Sequence, residues 1–222
     1  MSTINSPVDS LWVTEVDNTY KALRASLMPR DWQLPLHIGN QSKLSCRTGL
    51  VTGVAAAGGI LSMRWTNAQF NFLLQKLTVT AYLSTVFGAA QELSVDFVRL
   101  INYGTADTGG TPVTPLSKGS IKDTSMGVSS IADLRVAAAA ALTNGTATVE
   151  TNPISEEVFP LSTVTLGSSA RVELFDMKPG EQVPQVFRAQ EGFRVRILQA
   201  MGAGGVVVFH FNMEFGEIPN NY

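Results

Sequence analysis

Five segments of this chain alternate apolar and polar residues with a period of two, and that alternation limits the fold more than any other feature. "ILSMRWT" sets Leu61, Met63 and Trp65 against Ser62, Arg64 and Thr66, and "KLTVTAYL" sets Leu77, Val79 and Ala81 against Thr78, Thr80 and Tyr82. "LSVDFVRLI" places Leu93, Val95 and Phe97 on one face, and "FRVRI" opposes Phe193, Val195 and Ile197 to Arg194 and Arg196. "VVVFHFNMEF" opposes Phe209, Phe211, Met213 and Phe215 to Val208, His210, Asn212 and Glu214. Side chains two apart on an extended chain share a face, so the pattern predicts antiparallel strands with one face buried and the other wet.

Turn-rich loops separate these segments: "YGTADTGGTPVTPLSKG", "LTNGT", "MKPGEQ" and "MGAGGV". Asn144-Gly145 and Pro179-Gly180 are hairpin signals, because such pairs suit tight-turn backbone angles. "SSIADLRVAAAAAL" is ambiguous. Alanine favours helix and Ser130 could cap one, yet the run ends in Asn-Gly followed by "TATVE", as a hairpin would, and it is assigned as strand. The expectation is an all-β, antiparallel two-sheet β-sandwich, jelly-roll-like, over residues 44–222, preceded by an N-terminal extended arm over 1–43.

The first 40 residues read differently. Pro7, Pro29 and Pro35 punctuate them, and Trp12 and Trp32 stand among polar neighbours. "DNTYKALRASLM", residues 17–28, could form a short helix with Tyr20, Leu23 and Leu27 along one side, stopped by Pro29. Tryptophans in an irregular segment need another surface to bury them. Trp12, Tyr20 and Trp32, with Arg24 and Arg30, are therefore the candidate interface anchors. The alternative is an integral first strand that completes the core.

Composition bears on partners. Charged residues make up only 15% of the 222 residues, with Thr, Ser, Asn, Gly and Ala in their place. A neutral, hydroxyl-rich surface packs against protein without desolvating many ions, which favours an assembly subunit. The formal net charge is -2 and no basic run exists, so nothing marks a nucleic-acid partner. The N-terminus lacks the basic and apolar regions of a signal peptide, and the run "VAAAAAL" is too short to span a bilayer. The expectation is a protein made soluble in a cytoplasm, with no membrane partner.

Reactive groups are sparse. His37 follows Pro35 with no acid nearby. His210 and Glu214 stand four apart on one strand face, roughly 13 Å, too far to share a metal. Neither histidine has the setting of a triad base, and no G-x-S-x-G elbow occurs. Glu156 and Glu157 are adjacent, so their side chains diverge on an extended chain. "GAGG" lacks the Lys-Ser/Thr ending of a phosphate loop and reads as a hairpin turn. Cys46 is the single cysteine and reads as a small buried hydrophobe. No catalytic, cofactor-binding or metal-binding residue is assigned, and the expected activity is non-enzymatic.

Ordered blocks over residues 47–222 carry a family likeness: "LSMRWTNAQFNFLLQKLTVTA", "DTGGT", "KDTSMGVSSIADLRVAAAAALTNGTATVETNPI", "LFDMKPGEQ", "AQEGFRVRI" and "FHFNMEFGEIP". This succession resembles a group of tailed-bacteriophage virion structural proteins of similar length. The resemblance implies a virion protein, without catalytic residues or cofactors. Decoration or cement on the capsid surface is the first expectation, with the major capsid protein and further copies of the chain as partners. A homotrimer would match the three-fold positions of an icosahedral shell. The alternatives are a tail, fibre or head–tail adaptor subunit, and a carbohydrate-binding sandwich.

Overall fold

The computed structural model describes residues 40–114, 129–177 and 184–220, together with three short strands nearer the N-terminus. The chain divides into two compact units, Met1–His37 and Ile38–Tyr222.

In the first unit, β1 (Thr3–Asn5), β2 (Val13–Asp17) and β3 (Ala22–Leu23) form an antiparallel sheet in that order. Thr3 lies opposite Glu15 and Val16 opposite Leu23. This overturns the helix expected over residues 17–28, since Asp17, Ala22 and Leu23 are strand. A helix of a dozen residues is marginal by itself, whereas β-branched Val13, Thr14 and Val16 favour an extended chain that recruits its neighbour. Trp12, Tyr20, Arg24, Arg30, Trp32 and His37 lie outside the described residues.

The second unit contains β4 (Asn40–Arg47), β5 (Val51–Thr52), β6 (Gly59–Trp65), β7 (Phe70–Thr85), β8 (Ser94–Ile101), β9 (Thr111–Pro112) and β10 (Asp133–Val136). These are followed by β11 (Thr148–Val149), β12 (Ser155–Val158), β13 (Ser169–Asp176), β14 (Gln185–Phe187), β15 (Glu191–Ile197) and β16 (Val206–Pro219). One sheet runs β11-β8-β15-β6-β10-β9, with β12 also on β8. The other runs β13-β7-β16-β4, with β14 on β7 and β5 on β16. All described pairings are antiparallel, and neighbours are seldom consecutive in sequence, as a jelly-roll-like sandwich requires.

One connection differs from the hairpin its sequence suggests, and a second crosses in the same way. β6 and β7 lie in opposite sheets, and so do β15 and β16. "GAGG" therefore spans the sandwich instead of closing a hairpin, with Gly204 at φ +83. Between β6 and β7, the Trp65 Nε1–H donates to the Phe70 carbonyl at 2.7 Å and ties the crossover.

Apolar faces of both sheets meet in one core. Trp65 and Phe72 pack at 5.5 Å between centroids, Phe72 stacks on Phe215 at 4.9 Å, and Phe97 meets Phe193 edge-on at 5.3 Å. Each fully buried ring of this kind contributes on the order of 2–3 kcal/mol from burial.

The expected wet face of the first sheet is in large part covered. Val98, Leu100 and Tyr103 form a second small cluster on its outer side, with Ala147 packed against it. Arg194, on the polar side of "FRVRI", is buried there. Loop residues around 103–110 and 142–147 fold back over the strands, linked by Thr108 N–H to Thr143 O at 2.9 Å and Gly104 N–H to Thr146 O at 2.9 Å. Asn144-Gly145 thus serves a close approach between loops, not a hairpin: a Cβ at Gly145 would stand 1.9 Å from the Thr105 carbonyl oxygen. The alanine run is strand only up to Val136. Ala138, Ala139 and Ala140 are exposed bends whose carbonyls and neighbours tie to the loop at 49–52.

Candidate functional site

The groups that sequence reading weighed for chemistry are dispersed. His210 is exposed on the outer face of the second sheet, and Glu156 is exposed on β12. Cys46 is half-buried on β4, and burial pushes its thiol up to about 12, which keeps it protonated and unreactive at neutral pH. Among the described residues, no three His, Cys, Asp or Glu side chains are grouped to hold a metal ion.

Buried charge instead locks strands and loops. Arg194 donates from Nε to Asp107 Oδ2 at 2.8 Å and from Nη2 to Oδ1 at 2.6 Å. The Gly145 N–H adds a third donor to Asp107 at 2.7 Å. Burial alone would raise the Asp107 carboxyl, but the bonds from Arg194 and Gly145 and the Arg194 charge outweigh it and hold it below the usual carboxylate range. Tyr103 accepts from the Asp107 N–H at 3.1 Å, and burial, then the Asp107 charge, pushes its phenol up to about 12. Arg64 donates to the Tyr103 and Gly104 carbonyls at 2.6 and 2.7 Å and to Asp133 at 3.0 Å. Arg196 pairs bidentately with Asp96, its direct cross-strand partner. Elsewhere, buried Glu217 accepts from Ser129 Oγ at 2.7 Å, Ser130 N–H at 3.0 Å and Ser130 Oγ at 2.5 Å. These groups are saturated with structural partners.

The feature that stands apart is one end of the sandwich. The ends of β4, β7, β10, β12 and β15 and the starts of β6, β8, β13 and β16 meet there. Their loops cover residues 48–58, 86–93, 137–141, 160–168 and 199–205, and in all of these Glu92 is the single charged residue. Backbone hydrogen bonds knit the loops into one surface. Gly49 N–H donates to Ala137 O at 3.0 Å, Thr52 N–H to Ala139 O at 3.1 Å, Phe87 N–H to Thr163 O at 2.9 Å and Met201 N–H to Val54 O at 2.8 Å. Gln91 accepts from Gly202 N–H through its side chain at 2.8 Å. Gly205 lets the Phe87 ring seat against the backbone, where a Cβ would stand 2.1 Å from the ring.

Large apolar side chains emerge from this surface: Leu166 is 68% exposed, Leu50 59%, Val164 50% and Val86 38%. Ala55, Ala56, Ala57, Ala89 and Ala90 in the same loops are exposed as well. The loops are held by their backbones, so these side chains stand on a preformed base. Such a surface gives up little hydration when protein covers it. Sequence reading found the low charge of the chain but not its concentration here, because the five loops are far apart in sequence.

No family model and no curated protein matches the chain. Among solved structures, a chain from the structure of infectious bursal disease virus, Gx strain, is 16% identical with a TM-score of 0.11, covering 83% of this chain and 40% of that one. The present chain thus corresponds to less than half the length of that neighbour.

Proposed function

We propose that this protein is a non-enzymatic virion structural subunit of the tailed-bacteriophage kind, a decoration or cement protein that docks on the head shell as a homo-oligomer. The uncharged loop end carries the reading. Leu50, Val86, Val164 and Leu166 project from a hydrogen-bonded base with one charged neighbour, which suits lasting burial against another protein better than turnover of a small substrate. The resemblance of the ordered sequence blocks to phage virion proteins, and the all-β sandwich itself, support it further.

The test is incorporation into particles. Full-length protein and a Val164→Asp/Leu166→Asp variant are each supplied during assembly, and density-purified particles are analysed by mass spectrometry and electron microscopy. The expected result is stoichiometric wild-type protein on the head and a variant left in the soluble fraction. Wild-type protein missing from purified particles overturns the proposal, and density on the tail reassigns the subunit to that part of the virion.

A further inference from the structure

The outer face of the second sheet carries a basic row. Arg171 on β13 lies opposite Thr80 on β7, Thr80 opposite His210 on β16, and His210 opposite Arg47 on β4. The four side chains form one line across the strands, about 14 Å long at ordinary strand spacing. Arg171, His210 and Arg47 are exposed, and Tyr82, 43% exposed, stands in the next row beside Val208. Among the described residues, neither arginine takes part in an ion pair, although the acids nearby do. Glu214 pairs with Lys43, and Glu173 pairs with Lys76. Arg171 makes one bond, to Thr78 Oγ1 at 3.3 Å.

The far edge of the first sheet carries the opposite pattern. Glu156 on β12 lies opposite Asp96, and Val158 lies opposite Ser94, so both face outward beside β8. Val149 on β11 lies opposite Leu100 on the same outer side, and Glu150 follows it at the end of the strand, where its N–H donates to the Arg99 carbonyl at 3.1 Å. Val158 is 52% exposed and Val149 36%, and Glu150 and Glu156 are exposed as well. Asp96 spends its charge on Arg196, but no described cation pairs with Glu150, Glu156 or Glu157.

We infer that these two surfaces are halves of one contact, in which the Arg47–His210–Arg171 row of one copy receives the Glu150–Glu156 edge of the next. Each half joins unspent charge of one sign to exposed apolar groups, valines on the edge and Tyr82 on the row. Opposite charges steer the encounter and fix its register, while the apolar groups supply burial. Because the halves lie on different sheets, the contact is head-to-tail and generates a ring where the rotation closes. The inference deepens the reading of the chain as an assembly subunit, and it leaves the uncharged loop end free to face the shell.

Charge reversal in full-length protein tests it. One variant carries Arg47→Glu and Arg171→Glu, and the other carries Glu150→Lys and Glu156→Lys. All four positions are exposed, and circular dichroism checks that both variants fold. In sedimentation velocity at low salt, wild-type protein is expected to associate, and each variant alone to associate about tenfold or more weakly. Mixed in equal amounts, the two variants regain association, now in even-numbered assemblies, because each reversed surface fits only the other variant. Raising the salt from about 50 to about 500 mM weakens the wild-type assembly by screening the exposed charges. Wild-type protein that stays monomeric, or variants that associate as well as wild type, would overturn the inference. Monomeric wild-type protein that still enters particles would remove the self-contact and the homo-oligomer but leave the virion role standing, whereas assembled protein that never enters particles would do the reverse.

Discussion

Asp107 shows how a single residue can carry a loop. It is 1% exposed and satisfied by two bonds from Arg194 and one from Gly145. Asp107→Asn should cost about 3–5 kcal/mol, since it strands a buried guanidinium, and chemical denaturation measures it directly. Replacing both partners by apolar residues of similar size should recover most of that loss. The pH dependence has a definite sign. The folded carboxyl sits below its unfolded value, so its contribution is complete above the ordinary aspartate range and is lost as pH falls through the folded value. Urea midpoints recorded down the acid range should therefore fall more steeply for wild type than for Asp107→Asn. Gly145→Ala should also destabilise, by about 1–3 kcal/mol, because its Cβ would collide with the Thr105 carbonyl. None of this was legible in the sequence. Alternation placed Arg194 on the polar face, but its acid lies 87 residues away in a loop whose return over the sheet leaves no periodic signal.

At the scale of elements, the long strands were the legible part. Leu61, Met63 and Trp65, Leu77, Val79 and Ala81, and Phe209, Phe211, Met213 and Phe215 are all buried on the sides that alternation assigned them. Pairing was not legible, because a turn-forming sequence such as "GAGG" permits a crossover as readily as a hairpin. Short elements held by side chains were also hidden. β10 follows Ser129 and Ser130, which bind Glu217 near the end of β16 and so join segments 88 and 87 residues apart. Ser129→Ala with Ser130→Ala removes two hydroxyl donors to a buried carboxylate. The pair should lower stability by about 2–4 kcal/mol, read from denaturant midpoints, with hydrogen exchange at Ile131–Val136 accelerated more than in β8 or β15. Uniform acceleration across the sandwich would show instead that the clasp supports the whole fold.

On the scale of the whole molecule, the described core lies on strands and loops of residues 38–222, with aromatic pairs such as Trp65–Phe72 and Phe72–Phe215. β4 begins at Asn40 and runs antiparallel to the last strand, with Leu44 opposite Met213 and Cys46 opposite Phe211. A truncation at residue 44 would therefore cut into an ordered strand and remove backbone bonds to β16, whereas one at residue 38 keeps β4 whole. The chain starting at Ile38 should fold with a cooperative thermal transition within a few degrees of full length, whereas a chain starting at Lys43 or later should unfold measurably earlier. Calorimetry on both decides it. A molten or insoluble chain from Ile38 would mean that residues 1–37 supply part of the core, as an integral first strand would. A folded one separates the sandwich from the N-terminal unit, so that particle attachment can be assigned to the uncharged loop end or to residues 1–37 by deleting one and mutating the other.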